Sequence, residues 1–526
     1  MLDSSTFYFL AASVPLVYVI QLAVDFRRAV KATNNAPGLH HVLSPTTFLA
    51  NAIPFYIPGF AIGMNRAFVE KYETFKEFGV DIHTIVSYWP RAMIMYNVAD
   101  PAAIKEIVGS RARWPKHVEQ YSLVNYFGGN IVATEGDEWK RHRKIANPAF
   151  SEPNNRLVWS EAVRITMDMI ENEWNNAEEH KVNNVNEITL SVALLIIGSA
   201  GFGRKISFSD DLRVPPGYKM SFKDALHYTS TNMIVPVVFP GWALNLTAKL
   251  RTIRDAVKEL RMYIQELIDE RRDLDKKTER HDLFSSLLEA NLEEDEGSRT
   301  RLDDSELIGN IFIFLLAGHE TTAHTLCFTL GLLALHPDQQ EILYQNIMSV
   351  LPDGRVPKYE DMNSLSYVNA VFYETLRLFP PVNTIPKKCA EDTTLTTTNA
   401  AGEKVVIPVA KGSGITLHTP GLHYNPRYWK DPYEFRPQRF MEDWPKDAFL
   451  PFSGGARQCI GRRFSETESI AILTILIQRY RVEVLEEPQF ASETYEERYK
   501  RVLAVTAGIT NTPIRVPLTS IEATVN

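Results

Sequence analysis

The sequence Phe452-Ser453-Gly454-Gly455-Ala456-Arg457-Gln458-Cys459-Ile460-Gly461-Arg462-Arg463 places one cysteine in a loop with three glycines and three arginines. Glycine lets the backbone turn and approach a bulky planar ligand closely. Backbone amides, arginine charge and the N-terminus of the apolar helical run that follows all favour the thiolate over the thiol. A thiolate held in this way is a metal ligand, and cysteine is one of the axial ligands of haem iron. A buried structural cysteine is the alternative.

The composition limits the class of protein. The chain has 526 residues, a length that predicts two to four domains, although larger single units occur. The formal net charge of -8 argues against a nucleic-acid-binding protein, because no overall basic field attracts phosphates. The three cysteines, Cys327, Cys389 and Cys459, are an odd and widely spaced set. They indicate a reducing compartment rather than a disulfide framework.

The N-terminal segment is typical of a membrane anchor. Ser4–Val24 contains no charged residue and has about 20 residues, which is enough to span a bilayer. Arg27, Arg28 and Lys31 follow it, so the positive-inside rule places the remaining chain in the cytoplasm. A cleaved signal peptide is the alternative, but its basic residues would precede the apolar run. Residues 32–60, rich in Pro, Asn and Gly, are predicted to form a hinge.

Local patterns predict a hairpin and a long helix. Two β-like runs, at 83–87 and 92–98, flank a turn at Trp89-Pro90-Arg91. The longest helix is predicted to begin at Asp303, in a capping box with Glu306, and its apolar run continues to Pro337. A helix of that length that is apolar on most sides must cross the middle of the fold.

The centre of the long helix reads Ala317-Gly318-His319-Glu320-Thr321-Thr322. Small residues open space beside the helix, and an acid and an alcohol stand where apolar residues would pack better. Burying polar groups without partners costs free energy, so their presence indicates use. The alternative is that Thr321 donates to a carbonyl one turn earlier and only bends the helix.

Two pairs of residues at helical spacing are candidates for ligand binding and for structural support. Trp139 and Arg143 share a helix face, where an indole N–H and a guanidinium suit carboxylates. A solvated basic helix is the alternative for this pair. Glu374 and Arg377 lie three residues apart on an apolar helix that ends at Pro-Pro. A buried charge pair needs further partners, and Arg439 is a candidate third member.

The chain resembles the cytochrome P450 family. The resemblance is carried, in family order, by the Trp139/Arg143 pair, residues 317–322, Glu374-Thr375-Leu376-Arg377, Phe435-Arg436-Pro437-Gln438-Arg439-Phe440 and the cysteine loop (residues 452–463). Gln438 stands where the family usually has an acid. The resemblance implies the cytochrome P450 fold, which is mainly α with small β-sheets. It would form a single catalytic domain over residues 61–526, after an N-terminal anchor over 1–31 and a hinge over 32–60.

The resemblance also implies the cofactor and its surroundings. The cofactor is haem b (iron protoporphyrin IX), with Cys459 as the iron ligand. The residues expected to bind haem are Trp139, Arg143, His423, Phe452, Gly455, Arg457, Cys459 and Gly461. For His423, a structural histidine is the alternative. A network of Glu374, Arg377 and Arg439 is expected to position the cysteine loop. The substrate pocket is expected to include Phe314, Ala317, Val382 and Ile385.

The implied activity is the insertion of one oxygen atom of O2 into a lipophilic substrate, such as a terpenoid, a sterol or a fatty-acid derivative. Thr321 and Glu320 are expected to be catalytic, delivering protons during dioxygen activation. The chain has no GxGxxG fingerprint in a βαβ setting, so a separate membrane-bound NADPH–cytochrome P450 reductase is the expected electron donor, with cytochrome b5 as a further candidate. The implied location is the endoplasmic reticulum membrane, and the implied role is in secondary metabolism. The alternatives are a haem-thiolate isomerase or dehydratase and a non-enzymatic haem-binding protein.

Overall fold

The long helix predicted from the capping box organises the fold. A computed structural model describes residues 4–203, 214–273, 282–292, 301–508 and 510–522. In it the helix extends over Asp304–Leu335, about 48 Å at 1.5 Å per residue. Asp303 caps it as predicted, because its carboxylate accepts a hydrogen bond from the N–H of Glu306. Residues 307–316 and 322–335 are buried, so the helix crosses the core.

Helices form most of the described chain, which confirms a mainly α fold. In chain order the α-helices are α1 (Ser4–Ala32), α2 (Phe48–Asn51), α3 (Arg66–Glu70), α4 (Glu73–Phe78), α5 (Pro101–Gly109), α6 (Gly136–Ala146), α7 (Glu152–Asp168), α8 (Val185–Ile196), α9 (Phe222–Thr231), α10 (Ile234–Val238), α11 (Ala248–Asp273), α12 (Leu283–Leu292), α13 (Asp304–Leu335), α14 (Pro337–Val350), α15 (Ser366–Leu378), α16 (Thr419–His423), α17 (Arg462–Arg479) and α18 (Tyr495–Val502).

The strands form four small sheets within the described ranges. They are β1 (Gly38–Leu43), β2 (Ile82–Trp89), β3 (Met93–Val98), β4 (Glu179–Val182), β5 (Thr384–Lys388), β6 (Thr393–Thr398), β7 (Lys404–Val409), β8 (Gly414–His418), β9 (Tyr480–Val484), β10 (Val505–Ala507), β11 (Asn511–Pro513) and β12 (Leu518–Glu522). The largest sheet has the order β1-β2-β3-β8-β5. The other sheets pair β6 with β7, β10 with β11, and β12 with both β4 and β9.

The five-stranded sheet contains the predicted hairpin and part of the predicted hinge. Strands β2 and β3 are antiparallel, with Ile85 opposite Met95, which confirms the hairpin. Residues 38–43 lie within the segment predicted as a hinge, yet they form β1, which pairs in parallel with β2. Backbone hydrogen bonds therefore hold this part of the segment in the sheet. The division of the chain into anchor, hinge and catalytic domain stays a prediction.

The long helix lies in the larger of two buried apolar clusters. The larger cluster surrounds α13 and includes side chains of α7, α8, α15 and α17. The smaller cluster lies between the five-stranded sheet and α5. Because α13 runs through the larger cluster, side chains at its centre meet residues that are distant in the sequence.

Helix α1 covers the segment predicted as an anchor. Its side chains Val17 and Val19 are 64% and 59% exposed. Its C-terminal part is attached to the sheet, since Phe26 stacks on Tyr88 with ring centroids 3.6 Å apart. Among the described residues, α13 is the one helix long and apolar enough to cross a membrane, and 78% of its apolar window is buried inside the protein. Helix α13 is thus a core helix, and the anchor stays a prediction.

Candidate functional site

A cavity of about 350 Å³ lies between the cysteine loop and the centre of α13. Its walls bring together side chains from α6, α13, β5 and the cysteine loop. The predicted site residues that line it are Trp139, Arg143, Phe314, Ala317, Thr321, Val382, Ile385, Phe452, Arg457, Cys459 and Gly461. Residues separated by more than 300 positions in the sequence therefore share one chamber.

Backbone hydrogen bonds shape the cysteine loop. The N–H of Cys459 donates to the carbonyl of Phe452 over 2.8 Å, which closes the loop. Gly461 is the N-cap of α17, so this helix begins directly after the cysteine. Ser453 and Gly455 have φ values of 58° and 65°. The loop thus turns back on itself and presents Cys459 to the cavity.

The electrostatics of Cys459 differ in part from the prediction. Burial raises the pKa of the Cys459 thiol, although the Gly461 N–H and the positive charges of Arg143 and Arg462 lower it. The groups named in the sequence analysis do favour the thiolate, but desolvation outweighs them. A metal ion bound at the sulfur would reverse this balance, because a coordinating thiol is deprotonated outright.

A cationic group borders the cavity near the cysteine loop. Two guanidinium groups contact the indole of Trp139, with the Cζ atoms of Arg111 and Arg457 both 4.5 Å from the ring centroid. Arg143 is half-buried and donates to the carbonyl of Gln458 over 3.2 Å. Burial lowers the pKa of both Arg143 and Arg457, as expected for cations removed from water.

Two lysines that were not predicted from the sequence belong to the same cationic group. Lys116 and Lys387 line the cavity. Burial and the charge of Arg457 lower the pKa of Lys387 to about 8, and burial lowers that of Lys116 well below its usual value. Strand periodicity could have identified Lys387, because residues two apart on a strand share a face and Ile385 was a predicted wall residue. No local signal marks Lys116.

These residues fit haem b. Among the described residues that line the cavity there is no Asp or Glu, although four cationic side chains do so. The Nη2 of Arg457 pairs with Glu135 over 2.8 Å, but its Nε is buried and has no hydrogen-bond partner in the described part of the chain. A ligand with two carboxylates, such as haem, would offset the positive charge and accept from that Nε.

Gly455 and His423, two of the residues predicted to bind haem, do not line the cavity. A Cβ atom at Gly455 would lie 2.1 Å from the carbonyl oxygen of Val108, so the glycine permits the loop to pack on the end of α5. His423 is fully buried, and its Nδ1 bonds the carbonyl of Arg377 over 3.1 Å. Its Nε2 accepts from the N–H of Leu450 over 2.9 Å. With both ring nitrogens engaged, His423 has no atom left for a carboxylate ligand.

The predicted network of Glu374, Arg377 and Arg439 is assembled in the core. Arg377 donates to both carboxylate oxygens of Glu374, over 2.7 and 2.8 Å. The Nε of Arg439 donates to Glu374 Oε1 over 3.0 Å. Glu374 and Arg377 are fully buried, and Arg439 is 4% exposed. Gln438, which replaces the usual acid, instead donates to Gln339 over 2.8 Å.

His423 connects the network of Glu374, Arg377 and Arg439 to the cysteine loop. Arg377 donates from Nη1 to the carbonyl of His423 over 2.9 Å, and the histidine ring in turn holds the N–H of Leu450. Leu450 lies two residues before the first residue of the cysteine loop. The link runs from a buried ion pair, through one imidazole, to the backbone that leads to Cys459.

Glu320 and Thr321 are neighbours on α13 but have different surroundings. Thr321 lines the cavity, and its Oγ1 donates to the carbonyl of Ala317 over 2.8 Å, the back bond considered as the alternative. Glu320 does not line the cavity. It interacts with Ser230 and His227 on α9, and burial raises the pKa of its carboxyl. The structure therefore brings Thr321, but not Glu320, to the cavity wall.

Comparison with known proteins gives consistent matches. A sequence model of the cytochrome P450 family matches residues 49–503. Cytochrome P450 monooxygenase 124 of Postia placenta is 51% identical over 497 residues, which cover 94% of this chain and 95% of the relative. Cytochrome P450 monooxygenase AOL_s00215g278 of Arthrobotrys oligospora is 30% identical, covering 81% of this chain and 80% of the relative. Cytochrome P450 3A5 of Homo sapiens is 28% identical, covering 74% of this chain and 77% of the relative.

Proposed function

The chain belongs to the cytochrome P450 family, whose members bind haem b through a cysteine thiolate and act as monooxygenases, and we propose that its substrate is lipophilic. One oxygen atom of O2 is inserted into that substrate, and NADPH supplies electrons through a separate reductase. The observation that carries the proposal is the cavity in which Cys459 and Thr321 share walls with Phe314, Val382 and Ile385. A mostly apolar wall favours an apolar substrate, and an alcohol beside it suits proton transfer.

Each side of the cavity has its own role in this proposal. Haem b, when bound, supplies the dioxygen and electron-transfer chemistry. With haem b bound, Cys459 would hold the iron, and the side chains of Trp139, Arg143 and Arg457 would hold the carboxylates. The network of Glu374, Arg377 and Arg439 keeps the cysteine loop in place, because a loop on a rigid support positions its ligand more precisely.

Proton delivery is assigned to α13. Thr321 holds a proton at Oγ1 on the cavity wall, and Ala317 and Gly318 leave room beside it because their side chains are minimal. Glu320 has a raised pKa caused by burial, so it retains a proton more readily than an exposed carboxyl. Glu320 interacts with Ser230 and His227 of α9, and this is the side from which protons are proposed to arrive.

Replacing Thr321 with alanine tests this assignment. Haem binding is expected to be normal, whereas the fraction of NADPH converted into product is expected to fall several-fold and hydrogen peroxide to rise. The reason is that an alanine methyl group cannot hold a proton at the cavity wall. Stoichiometry of NADPH, peroxide and product measures the effect.

Thr474 provides a matched control for that experiment. Its Oγ1 makes the same back bond, to the carbonyl of Ile470 over 2.7 Å, on α17 and outside the cavity. Thr474→Ala is expected to leave the stoichiometry unchanged. Equal coupling in Thr321→Ala and the wild type would contradict the role of Thr321.

Reconstitution tests the proposed function itself. The purified protein is combined with a membrane-bound NADPH–cytochrome P450 reductase, with and without cytochrome b5, and screened against terpenoids, sterols and fatty-acid derivatives. We expect a product that is heavier by one oxygen atom and that retains label from 18O2. Turnover of peroxides without NADPH would instead indicate an isomerase or dehydratase, and a complete lack of turnover a non-enzymatic haem-binding protein.

The endoplasmic reticulum membrane is the proposed location, with a role in secondary metabolism. Exposed apolar side chains on α1 support it, as do those of Val237 and Phe239 near α10, which are each 44% exposed. Membrane fractionation of the chain with and without residues 2–24 tests the anchor, and equal retention of both forms would contradict it.

A further inference from the structure

A second cavity, of about 220 Å³, adjoins the cavity that lies between the cysteine loop and α13. It lies between the five-stranded sheet and the segment that contains α3 and α4. Val382 lines both cavities, so the two chambers share a wall at this residue. Apolar side chains such as Ile62, Phe75, Ile85 and Met95 form part of the second chamber. The second chamber is therefore a direct neighbour of the cavity beside Cys459.

Arg66 is a buried cation in the second cavity with an unused donor. Its side chain is 10% exposed, and the Cζ atom lies 3.5 Å from the ring centroid of Tyr56. Nε donates to Glu70 over 2.6 Å, and Nη2 donates to Thr74 over 3.5 Å. Nη1 is buried and has no hydrogen-bond partner among the described residues. A buried donor without an acceptor costs free energy, so this nitrogen indicates a place for an acceptor from a ligand.

The charges that line the chamber favour an anion. Arg66 and Lys71 carry positive charge, and Glu70 is the single carboxylate among the described lining residues. Glu70 is already engaged by Arg66 and by the hydroxyl of Thr74. Burial lowers the pKa of His83 to about 3 and that of His418 to about 4, so both lining histidines are neutral at neutral pH. The lining side chains therefore carry one more positive than negative charge.

We propose that the second cavity binds the carboxylate end of a lipophilic carboxylic acid, with Arg66 as its main contact and Lys71 as a second. The apolar body of the ligand extends past Val382 into the cavity beside Cys459. This inference rests on the proposed function. It narrows the substrate from lipophilic molecules in general to lipophilic carboxylic acids. Arg66 then determines specificity: it selects acids over neutral molecules of the same shape, because a charge-assisted hydrogen bond to the guanidinium needs an anionic acceptor.

The test compares hexadecanoate with methyl hexadecanoate on the full-length, haem-loaded protein. Dissociation constants are measured by calorimetry and by the ligand-induced change in the haem absorption spectrum. The wild type is expected to bind the acid about tenfold more tightly than the ester. In Arg66→Gln the affinity for the acid is expected to fall about tenfold, while the affinity for the ester stays the same. For Arg66→Lys, which retains the charge, the affinity for the acid is expected to lie between that of the wild type and that of Arg66→Gln.

Two further variants keep the result interpretable. Arg156→Gln removes a surface arginine that pairs with Glu360 and lines neither cavity, so it should bind both probes as the wild type does. If Arg66→Gln does not fold, Lys71→Asn removes the other positive charge and is expected to weaken binding of the acid several-fold without affecting the ester.

Three results would overturn the proposal. They are a wild type that binds the acid no more tightly than the ester, a wild type that binds neither probe, and an Arg66→Gln variant that loses both probes equally. The last result would indicate a structural role for Arg66. Failure here is separable from failure of the proposed function, because the spectrum of the reduced carbon monoxide complex and the turnover of neutral substrates do not depend on this site.

Discussion

Replacing Arg377 with alanine is expected to abolish the yield of folded, haem-loaded protein. Both Arg377 and Glu374 are fully buried, so the variant would leave a carboxylate in the core with Arg439 as its remaining charged partner. Removal of one member of a buried ion pair costs about 3–5 kcal/mol. The total free energy of unfolding of a domain is about 5–15 kcal/mol, so a loss of this size removes a large part of it.

The guanidinium of Arg377 also binds backbone carbonyl groups, which an alanine side chain cannot do. Beyond Glu374, the guanidinium donates to the carbonyls of His423 and Pro432, over 2.9 and 2.7 Å, and of Glu434, over 3.1 Å. Arg377→Lys keeps the charge but not the planar fork, so it is expected to lower the holoprotein yield as well. The measurements are the haem content of the purified protein and the midpoint of thermal unfolding.

Arg355→Ala is the matched control for Arg377. Arg355 makes a bidentate ion pair with Asp361, over 2.7 and 2.9 Å, but its side chain is 36% exposed. Partly exposed ion pairs contribute only about 0–1 kcal/mol, so haem content is expected to remain normal in this variant. A normal holoprotein yield in Arg377→Ala would contradict the supporting role of the network.

Features set by short-range spacing could be predicted from the sequence. The capping box at Asp303, the hairpin of β2 and β3, and the pairing of Glu374 with Arg377 each depend on residues that are near neighbours in the chain. In these cases the local geometry of a helix or a turn determines the contact. A motif with several fixed positions, such as the cysteine loop, adds the long-range arrangement through its resemblance to a family.

Features that depend on side-chain direction or distant pairing could not be predicted in this way. His423 was expected at the cavity, but its ring bonds Arg377 and Leu450 because α16 is packed against the end of α15. Glu320 was grouped with Thr321, but adjacent residues on a helix point in different directions, and Glu320 meets α9. The pairing of β1 with β2 joins residues more than 40 positions apart, and no local pattern specifies it.

Replacing Cys459 with alanine is expected to remove the metal ligand without disrupting the loop. The bond from the residue 459 N–H to the carbonyl of Phe452 belongs to the backbone and persists in the variant. Haem content is expected to fall sharply, and any haem that remains bound by the cationic residues would lack a sulfur ligand. Because the buried network is intact, the unfolding midpoint of the haem-free variant should match that of the haem-free wild type.

Cys389→Ala controls for the loss of a thiol as such. Cys389 is buried, and its Sγ donates to the carbonyl of Glu391 over 2.9 Å, outside the cavity. This variant is expected to keep normal haem content and the same spectrum as the wild type. A similar loss of haem in both variants would mean that the effect of Cys459→Ala does not report on iron ligation.

The most direct test of the account is the absorption spectrum of the reduced carbon monoxide complex, recorded for the wild type and for Cys459→Ala. We predict a thiolate-type spectrum for the wild type and its complete loss in the variant, because Cys459 is the cysteine that faces the cavity. A wild-type spectrum typical of a nitrogen ligand, or a thiolate-type spectrum that survives in Cys459→Ala, would contradict the assignment of Cys459 as the haem ligand.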